Sequence, residues 1–180
     1  MPLTEPAEQA AAAVLRERAQ RLAQPIAARV ERGVGLEVLC FGLGRERYAI
    51  ETRYVCGTRR ACPVTPLPMA GDHVLGVTNI QGDLLVVFDL RAVFGIERVR
   101  SSDAPHFLIF GVEQAEFAVD VDSLDKVTEL DSARLLEPTL TVPGGSRGSR
   151  AYLRGVTHEA LLLLDGDALL ADERLFVDAP

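Results

Sequence analysis

The chain has 180 residues, of which 48% are apolar and 25% charged, and its formal net charge is −7. This length predicts one domain, and the composition is that of an ordinary globular protein. No apolar run approaches the ~20 residues that span a bilayer, so we expect no membrane insertion. Acids at Glu5 and Glu8 and the lack of a continuous apolar segment argue against a signal peptide. We therefore expect a cytoplasmic protein.

Charge and cysteine content exclude two further classes of protein. Residues 1–35 hold five arginines and four glutamates, so this part carries +1 and the remainder −8. Neither part has the clustered basic face that neutralises phosphates, and we expect no nucleic-acid partner. The three cysteines, Cys40, Cys56 and Cys62, form no CxxC pair, and their odd number argues against a disulfide framework.

The first predicted element is an α-helix over residues 5–24. Good helix formers dominate this stretch, Thr4 can cap it, and Pro25 is expected to kink or end it. Its thin apolar stripe consists of Leu15, Ala19, Leu22 and Ile26. The helix either packs on its own domain or serves self-association or a partner. We treat residues 1–35 as a helical extension of a domain formed by residues 36–180.

After Leu36 the apolar period changes from that of a helix to that of strands. The predicted strands are Leu36–Leu43, Arg47–Val55, Val74–Val77, Leu84–Phe88, His106–Val112, Ala115–Val121, Leu124–Leu130, Tyr152–Thr157 and Ala160–Leu164. Short helices are predicted at Leu90–Phe94 and Gly166–Ala171, each after an aspartate that can cap it. Residues 59–68 read as a proline-rich connection and residues 138–150 as a loop. Many short strands with regularly spaced turns favour an all-β barrel or sandwich.

The strand-strand-loop-strand-strand-helix pattern occurs roughly twice, without a sequence repeat of fixed period. The most informative stretch is residues 66–91. A proline turn leads into an apolar strand, and a polar corner at residues 79–83 separates it from the next strand. This segment has the pattern of a barrel corner that presents a surface, and nothing in it is suited to bond-making.

Sequence motifs for catalysis or metal binding are weak. The histidines His73, His106 and His158 have no metal-ligand spacing, and residues 120–125 fail as a calcium loop because they lack its glycine. Neither glycine-rich stretch fits a phosphate-binding loop, since one precedes a strand and the other lacks the Lys-Ser/Thr pair. We predict no metal site and no cofactor. The alternative left open is a ligand-binding regulatory barrel, or an enzyme that uses carboxylates on turns.

Several segments together resemble the CheW family of bacterial chemotaxis coupling proteins. They occur in the family's order between about Leu36 and Leu170 and read FGLGRERYAI followed by Val55, TPLP before GVTNIQG, LLVVFDLR, FAVDVDSLDKV, and YLRGV before LLLLDGDALL. The resemblance implies two intertwined SH3-like five-stranded β-barrels that share one core. It implies a non-catalytic scaffold that links the CheW-like regulatory domain of a CheA-type histidine kinase to the cytoplasmic tips of chemoreceptors. An alternative is the same adaptor fold in surface motility or second-messenger control.

The resemblance also implies which residues meet the receptor. The positions carried over are Val55, Gly57, Gly76, Gln81, Phe107, Ala118 and Val127. Two of them depart from the family, which commonly has an acid where Gly57 stands and an arginine where Gln81 stands. Losing both members of a pair leaves no unpaired charge. We therefore expect an unusual receptor or kinase set, and a kinase-facing surface on loops at the barrel ends.

Overall fold

The computed structural model describes residues 35–98, 105–138 and 148–175. The described residues form ten strands and two short α-helices. The strands are β1 (Gly35–Leu43), β2 (Glu46–Glu51), β3 (Val55–Arg60), β4 (Val74–Ile80), β5 (Asp83–Phe88), β6 (His106–Phe110), β7 (Phe117–Val121), β8 (Ser123–Asp131), β9 (Leu153–Val156) and β10 (Leu161–Leu164), and the helices are α1 (Leu90–Phe94) and α2 (Gly166–Leu170). The helix expected at residues 5–24 lies outside the described residues. In the described ranges, no helix has the length and apolar character to cross a membrane.

The strands form two five-stranded sheets. One has the order β3-β6-β7-β5-β4, and we call it the central barrel. The other has the order β8-β1-β2-β10-β9, and we call it the terminal barrel. A bridge between Thr65 and Val77 joins the two ends of the central barrel, and one between Leu136 and Val156 does the same for the terminal barrel. These bridges bring the outermost strands of each sheet together, and the predicted all-β, double-barrel fold class is confirmed.

The two barrels have the same internal order. Read position by position, β3, β6, β7, β5 and β4 correspond to β8, β1, β2, β10 and β9. Each barrel contains one parallel pair, β5 with β7 and β10 with β2, and a short helix follows β5 and β10. The side chains of Asp89 and Asp165 cap these helices by accepting from backbone N–H groups at 3.0 and 3.1 Å. The repeated pattern in the sequence is therefore a structural repeat.

The chain passes between the barrels twice, which intertwines them. It leaves the terminal barrel through the turn Thr52–Tyr54 and returns through Asp122, between β7 and β8. A core of side chains from both barrels lies between them, and its aromatic members include Phe41, Tyr48, Phe88, Phe110 and Phe117. Each barrel also has a smaller apolar cluster of its own. Because most of the large apolar side chains are in the shared core, we expect the barrels to fold as one unit.

Three sequence predictions need correction. Arg47–Val55 was predicted as one strand, but β2 ends at Glu51 and the chain then changes barrel. The predicted proline-rich connection at residues 59–68 overlaps the end of β3. The sequence does not indicate a strand there, because Thr58, Arg59 and Arg60 are all exposed, and buried and exposed residues do not alternate. The polar corner is also smaller than predicted, since only Gln81 and Gly82 lie between β4 and β5.

A cluster near the C-terminal end of the described chain ties the barrels together. The Tyr152 hydroxyl donates to the Asp172 carboxylate, which also forms an ion pair with Arg174 at 3.0 Å. The imidazole Nε2 of His73, in the central barrel, lies 2.8 Å from the backbone oxygen of Arg174. Burial alone would raise the pKa of Asp172, but the hydrogen bonds from Arg174 and Tyr152 lower that pKa to about 2.

Replacing Asp172 by asparagine is expected to lower the free energy of unfolding at pH 7 by about 2 kcal/mol. The pKa of this carboxyl is lower in the folded than in the unfolded protein. Its contribution is therefore full above pH ~4 and is lost as the pH falls toward 2. Urea unfolding at a series of pH values should show the difference between wild type and variant shrinking over this range. Asp125→Asn, in the exposed pair with Arg47, serves as the control and should change stability by less than about 0.5 kcal/mol.

Candidate functional site

Six of the seven positions carried over from the family lie in the central barrel. They are Val55 and Gly57 on β3, Gly76 on β4, Gln81 in the β4–β5 turn, Phe107 on β6 and Ala118 on β7. Val127 lies on β8 of the terminal barrel, opposite Leu39. Since β3 and β8 are equivalent strands, the candidate positions extend over matching outer strands of both barrels.

Three of these positions are buried. Phe107 and Ala118 are 2% and 0% exposed and belong to the apolar cluster of the central barrel. Gly76 has a φ of +137°, and a Cβ built on it would lie 2.1 Å from the backbone oxygen of Thr65. These positions therefore lie beneath the surface, and their part in receptor binding stays a prediction. These three residues shape the barrel beneath the surface.

The other four positions reach the surface. Val55 and Gly57 are half-buried, Gln81 is exposed and Val127 is 49% exposed. The apolar side chain of Val55 packs partly against the shared core, while Gly57 lies opposite Ile109 on β6. We call these four residues the outer-strand surface. They are the members of the predicted site that a docking partner could touch.

Gln81 lies at the first position of the two-residue β4–β5 turn. Gln81 and Gly82 have φ values of 58° and 108°, as a two-residue hairpin turn with the twist of its strands requires. The Asn79 side chain accepts from the Gly82 N–H at 3.1 Å and holds the turn. Strand β4 runs along the segment that follows β3, since the Thr78 hydroxyl donates to the Pro63 oxygen at 2.9 Å. The turn holds Gln81 at the end of β4, exposed to a partner.

Sequence reasoning missed a buried ion-pair network centred on Arg91. The guanidinium of Arg91 is 2% exposed and pairs with Asp89 at 2.7 Å, with Asp122 at 2.6 Å and with Asp120. The Asp122 carboxylate also accepts the Gly44 N–H, in the terminal barrel, at 2.6 Å. Arg98, which is more than half exposed, adds contacts to Asp89 and Asp120 at 2.9 and 3.1 Å.

This network fixes the second crossover between the barrels. Burial by itself would lower the pKa of Arg91, but the surrounding carboxylates raise that pKa, so the side chain stays charged. Burial raises the pKa of Asp120 although Arg91 and Arg98 oppose it. The one local signal in the sequence is Arg91 itself, two residues after the capping Asp89. Its partner Asp120 is 29 residues away, which no local pattern could indicate.

The first crossover is fixed by aromatic packing. The Tyr54 ring lies against Gly166 at the start of α2, where a Cβ would come within 2.2 Å of the ring. Arg53 lies over the same ring, 4.5 Å from its centroid. Burial and a hydrogen bond with Asp167 raise the pKa of Tyr54 to about 12, so its hydroxyl stays protonated. The first crossover is therefore held by α2, and the second crossover is held by Arg91 of α1.

His158 and the neighbouring Thr157 lie in the turn between β9 and β10. The Thr157 hydroxyl accepts the Leu161 N–H at 3.2 Å within its own hairpin, while His158 is exposed at the tip. The described residues contain no group of three or more His, Cys, Asp or Glu side chains placed to hold a metal ion. The Asp120 carboxylate forms ion pairs with the guanidinium groups of Arg91 and Arg98.

Comparison with known proteins agrees with this architecture. The model of the CheW-like domain family matches residues 37–174, so the chain belongs to the CheW-like domain family. It is 28% identical over 146 residues to the chemotaxis protein CheW of Klebsiella aerogenes, covering 79% of this chain and 86% of that protein. It is also 27% identical over 143 residues to the protein FrzA of Myxococcus xanthus, covering 77% and 87%.

Among solved structures, the chain is similar to the scaffolding protein TtCheW from Thermoanaerobacter tengcongensis. The two share a TM-score of 0.65 at 18% sequence identity, over 82% of this chain and 92% of that one. At this identity the likeness concerns the fold. The two proteins share a fold, in agreement with the family assignment.

Proposed function

We propose that this chain is a non-catalytic adaptor that couples chemoreceptors to a CheA-type histidine kinase in bacterial chemosensory signalling. The observation that carries the proposal is the match of residues 37–174 to the CheW-like domain family. The chain matches more than three quarters of the length of three relatives named chemotaxis protein CheW, which supports a shared role. The site of action would be the cytoplasmic tips of the receptors.

The physical arrangement suits an adaptor. Two barrels with one shared core make a stiff scaffold, and stiffness lowers the entropy cost of docking a partner. The receptor helices would lie along the outer-strand surface, where Val55 and Val127 offer apolar contact. The CheW-like regulatory domain of the kinase would dock at the barrel ends. Self-association through the predicted helix at residues 5–24 stays a prediction.

An alternative keeps the fold but changes the pathway. The similarity to FrzA, a relative whose name does not mention chemotaxis, favours considering an adaptor of a non-chemotactic pathway such as motility or second-messenger control. The identity of the genes beside the one for this chain would separate the two pathways. The ligand-binding or enzymatic alternative gains nothing from Asp120, whose carboxylate is held in ion pairs.

Replacing Val127 by lysine is expected to weaken binding of a chemoreceptor cytoplasmic hairpin fragment about tenfold. A valine buried in a contact contributes ~1.5 kcal/mol, and tenfold in affinity is ~1.4 kcal/mol. Binding would be measured by calorimetry, and kinase stimulation with purified kinase and receptor-containing membranes. Val127 is exposed on β8, so the melting temperature should not change.

Met69→Lys is the matched control, because Met69 is a fully exposed apolar side chain on a loop of the central barrel. It should leave binding and kinase stimulation at the wild-type level. A wild-type chain that binds no receptor fragment and changes no kinase activity would contradict the adaptor proposal. Wild-type affinity in Val127→Lys would instead remove β8 from the contact.

A further inference from the structure

Strand β3 carries an excess of positive charge on an acidic protein. Arg59 and Arg60 are exposed at its end, and Arg53 is exposed just before it, while the whole chain has a net charge of −7. Arg154, from β9, reaches the same edge because it pairs with Glu51, which also pairs with Arg53. We call these four residues, Arg53, Arg59, Arg60 and Arg154, the arginine stripe.

Within the described ranges, the stripe has few carboxylate partners. Among the described residues, no carboxylate lies within 4.0 Å of the guanidinium groups of Arg59 and Arg60. Arg53 and Arg154 share the single carboxylate of Glu51. Asp167 also acts on Arg53 and Glu116 acts on Cys56 of β3, so the four arginines exceed the three carboxylates described around them. Such a charge excess attracts anionic partners and speeds their association.

Gly57 lies in the middle of the stripe and adds no charge to it. A Cβ built on Gly57 would meet only Ile109 Cδ1, at 3.8 Å, so the position has room for a side chain. The glycine is therefore not required by packing. An acid here, of the kind common in the family, would stand between Arg53 and Arg59. With glycine at this position, Arg59 has no acid two residues before it on the strand.

The equivalent strand of the other barrel has the opposite charge. Strand β8 exposes Asp125 and Glu129 on either side of Val127, with Lys126 as its one base. A partner that crosses both barrels would therefore meet positive charge at β3 and negative charge at β8. This asymmetry would set both the direction and the charge pattern of the partner.

We propose that the arginine stripe binds an acidic face of the helical receptor tip, so that this adaptor selects receptors with carboxylates where they cross β3. The inference rests on the proposed adaptor function and adds the chemistry of the partner. At ~3.3 Å per residue the stretch from Arg53 to Arg60 spans roughly 20 Å, the length of about four turns of an α-helix. The partner should thus present acids on one helix face over about four turns. Arginine suits this contact because its guanidinium can bind a carboxylate through two hydrogen bonds.

The test uses one chemoreceptor hairpin fragment in two versions, with glutamates or with lysines along the exposed face of the tip helix. Wild-type protein should bind the glutamate version about tenfold more tightly at 50 mM salt. The difference should shrink at 500 mM salt, because exposed charges are screened. The double variant Arg59→Gln/Arg60→Gln should bind both versions within about threefold. Arg45→Gln, an exposed arginine in the β1–β2 turn without a described ion-pair partner, should behave as wild type.

A second pair of variants tests the same charge without removing an arginine. Gly57→Glu should abolish the preference for the glutamate fragment, while Gly57→Gln, of the same size, should keep it. Wild-type protein that binds both fragment versions equally overturns the inference and leaves the adaptor function intact. Binding of neither version overturns both. Salt-sensitive self-association that is lost in Arg59→Gln/Arg60→Gln, measured by sedimentation, would assign the stripe to a second copy of the chain and also overturn the inference.

Discussion

Replacing Arg91 by methionine is expected to lower the free energy of unfolding at pH 7 by about 3–5 kcal/mol. The guanidinium is almost fully buried, and its removal leaves the carboxylates of Asp89, Asp120 and Asp122 without their main counter-charge. Buried charges without a partner are among the most destabilising changes in a protein. Because natural domains are stable by only about 5–15 kcal/mol, urea denaturation should show a large shift of the midpoint.

The pH dependence of this effect has a definite sign. Burial already raises the pKa of Asp120 against the opposing effect of Arg91, so without Arg91 this pKa rises further above its unfolded value. The penalty is full above that raised pKa and is relieved as the pH falls through it. The stability difference between wild type and Arg91→Met should therefore narrow from pH 7 toward pH 5. A difference that stays constant over this range would show that the lost stability comes from packing.

Arg98→Met is the matched control, because Arg98 contacts two of the same carboxylates but has a side chain that is 57% exposed. Exposed ion pairs contribute less than about 1 kcal/mol, and the variant should lose no more than that. A comparable loss in both variants would mean that the network depends on total charge. A large loss of stability in Arg91→Met alone would show that the buried ion pairs of Arg91 hold the second crossover in place.

Much of the fold could be predicted because local patterns carry it. The strands β1, β5, β6, β7 and β10 were found within a few residues, since each buries an apolar face that sequence periodicity reports. Strand β3 was not found, because its second half lies on an exposed edge and has no buried side to alternate with. The exchange of strands between barrels is also invisible locally, since the turn Thr52–Tyr54 has no composition that distinguishes a crossover from a strand.

The candidate site could be predicted only as a set of positions. Family resemblance identified Val55, Gly57, Gln81 and Val127, which reach the surface, but equally Phe107, which is buried. Resemblance cannot separate a residue that touches a partner from one that supports such a residue from beneath. The arginine stripe could not be predicted from the sequence for another reason. One member, Arg154, comes from β9, and only the shared Glu51 reveals that it lies near Arg53.

Gly76 offers a direct way to separate the two kinds of position. Gly76→Ala is expected to lower the free energy of unfolding by about 3 kcal/mol, because two costs combine. The φ of +137° disfavours any side chain, and the new Cβ would collide with the backbone of Thr65. That collision displaces the Thr65–Val77 bridge, which joins the outer strands of the central barrel. Thermal and urea unfolding would measure the loss.

Gly82→Ala isolates the conformational part of this cost. Gly82 also has a positive φ, +108°, but nothing lies within 4 Å of its Cβ position, so it should lose only about 1 kcal/mol. If Gly76 acts through barrel closure, receptor-fragment affinity per folded molecule should change little in Gly76→Ala once the folded fraction is accounted for. A tenfold loss of affinity at full folding would show that the backbone at Gly76 itself meets the partner. Equal destabilisation of the two variants would remove the collision with Thr65 as the cause.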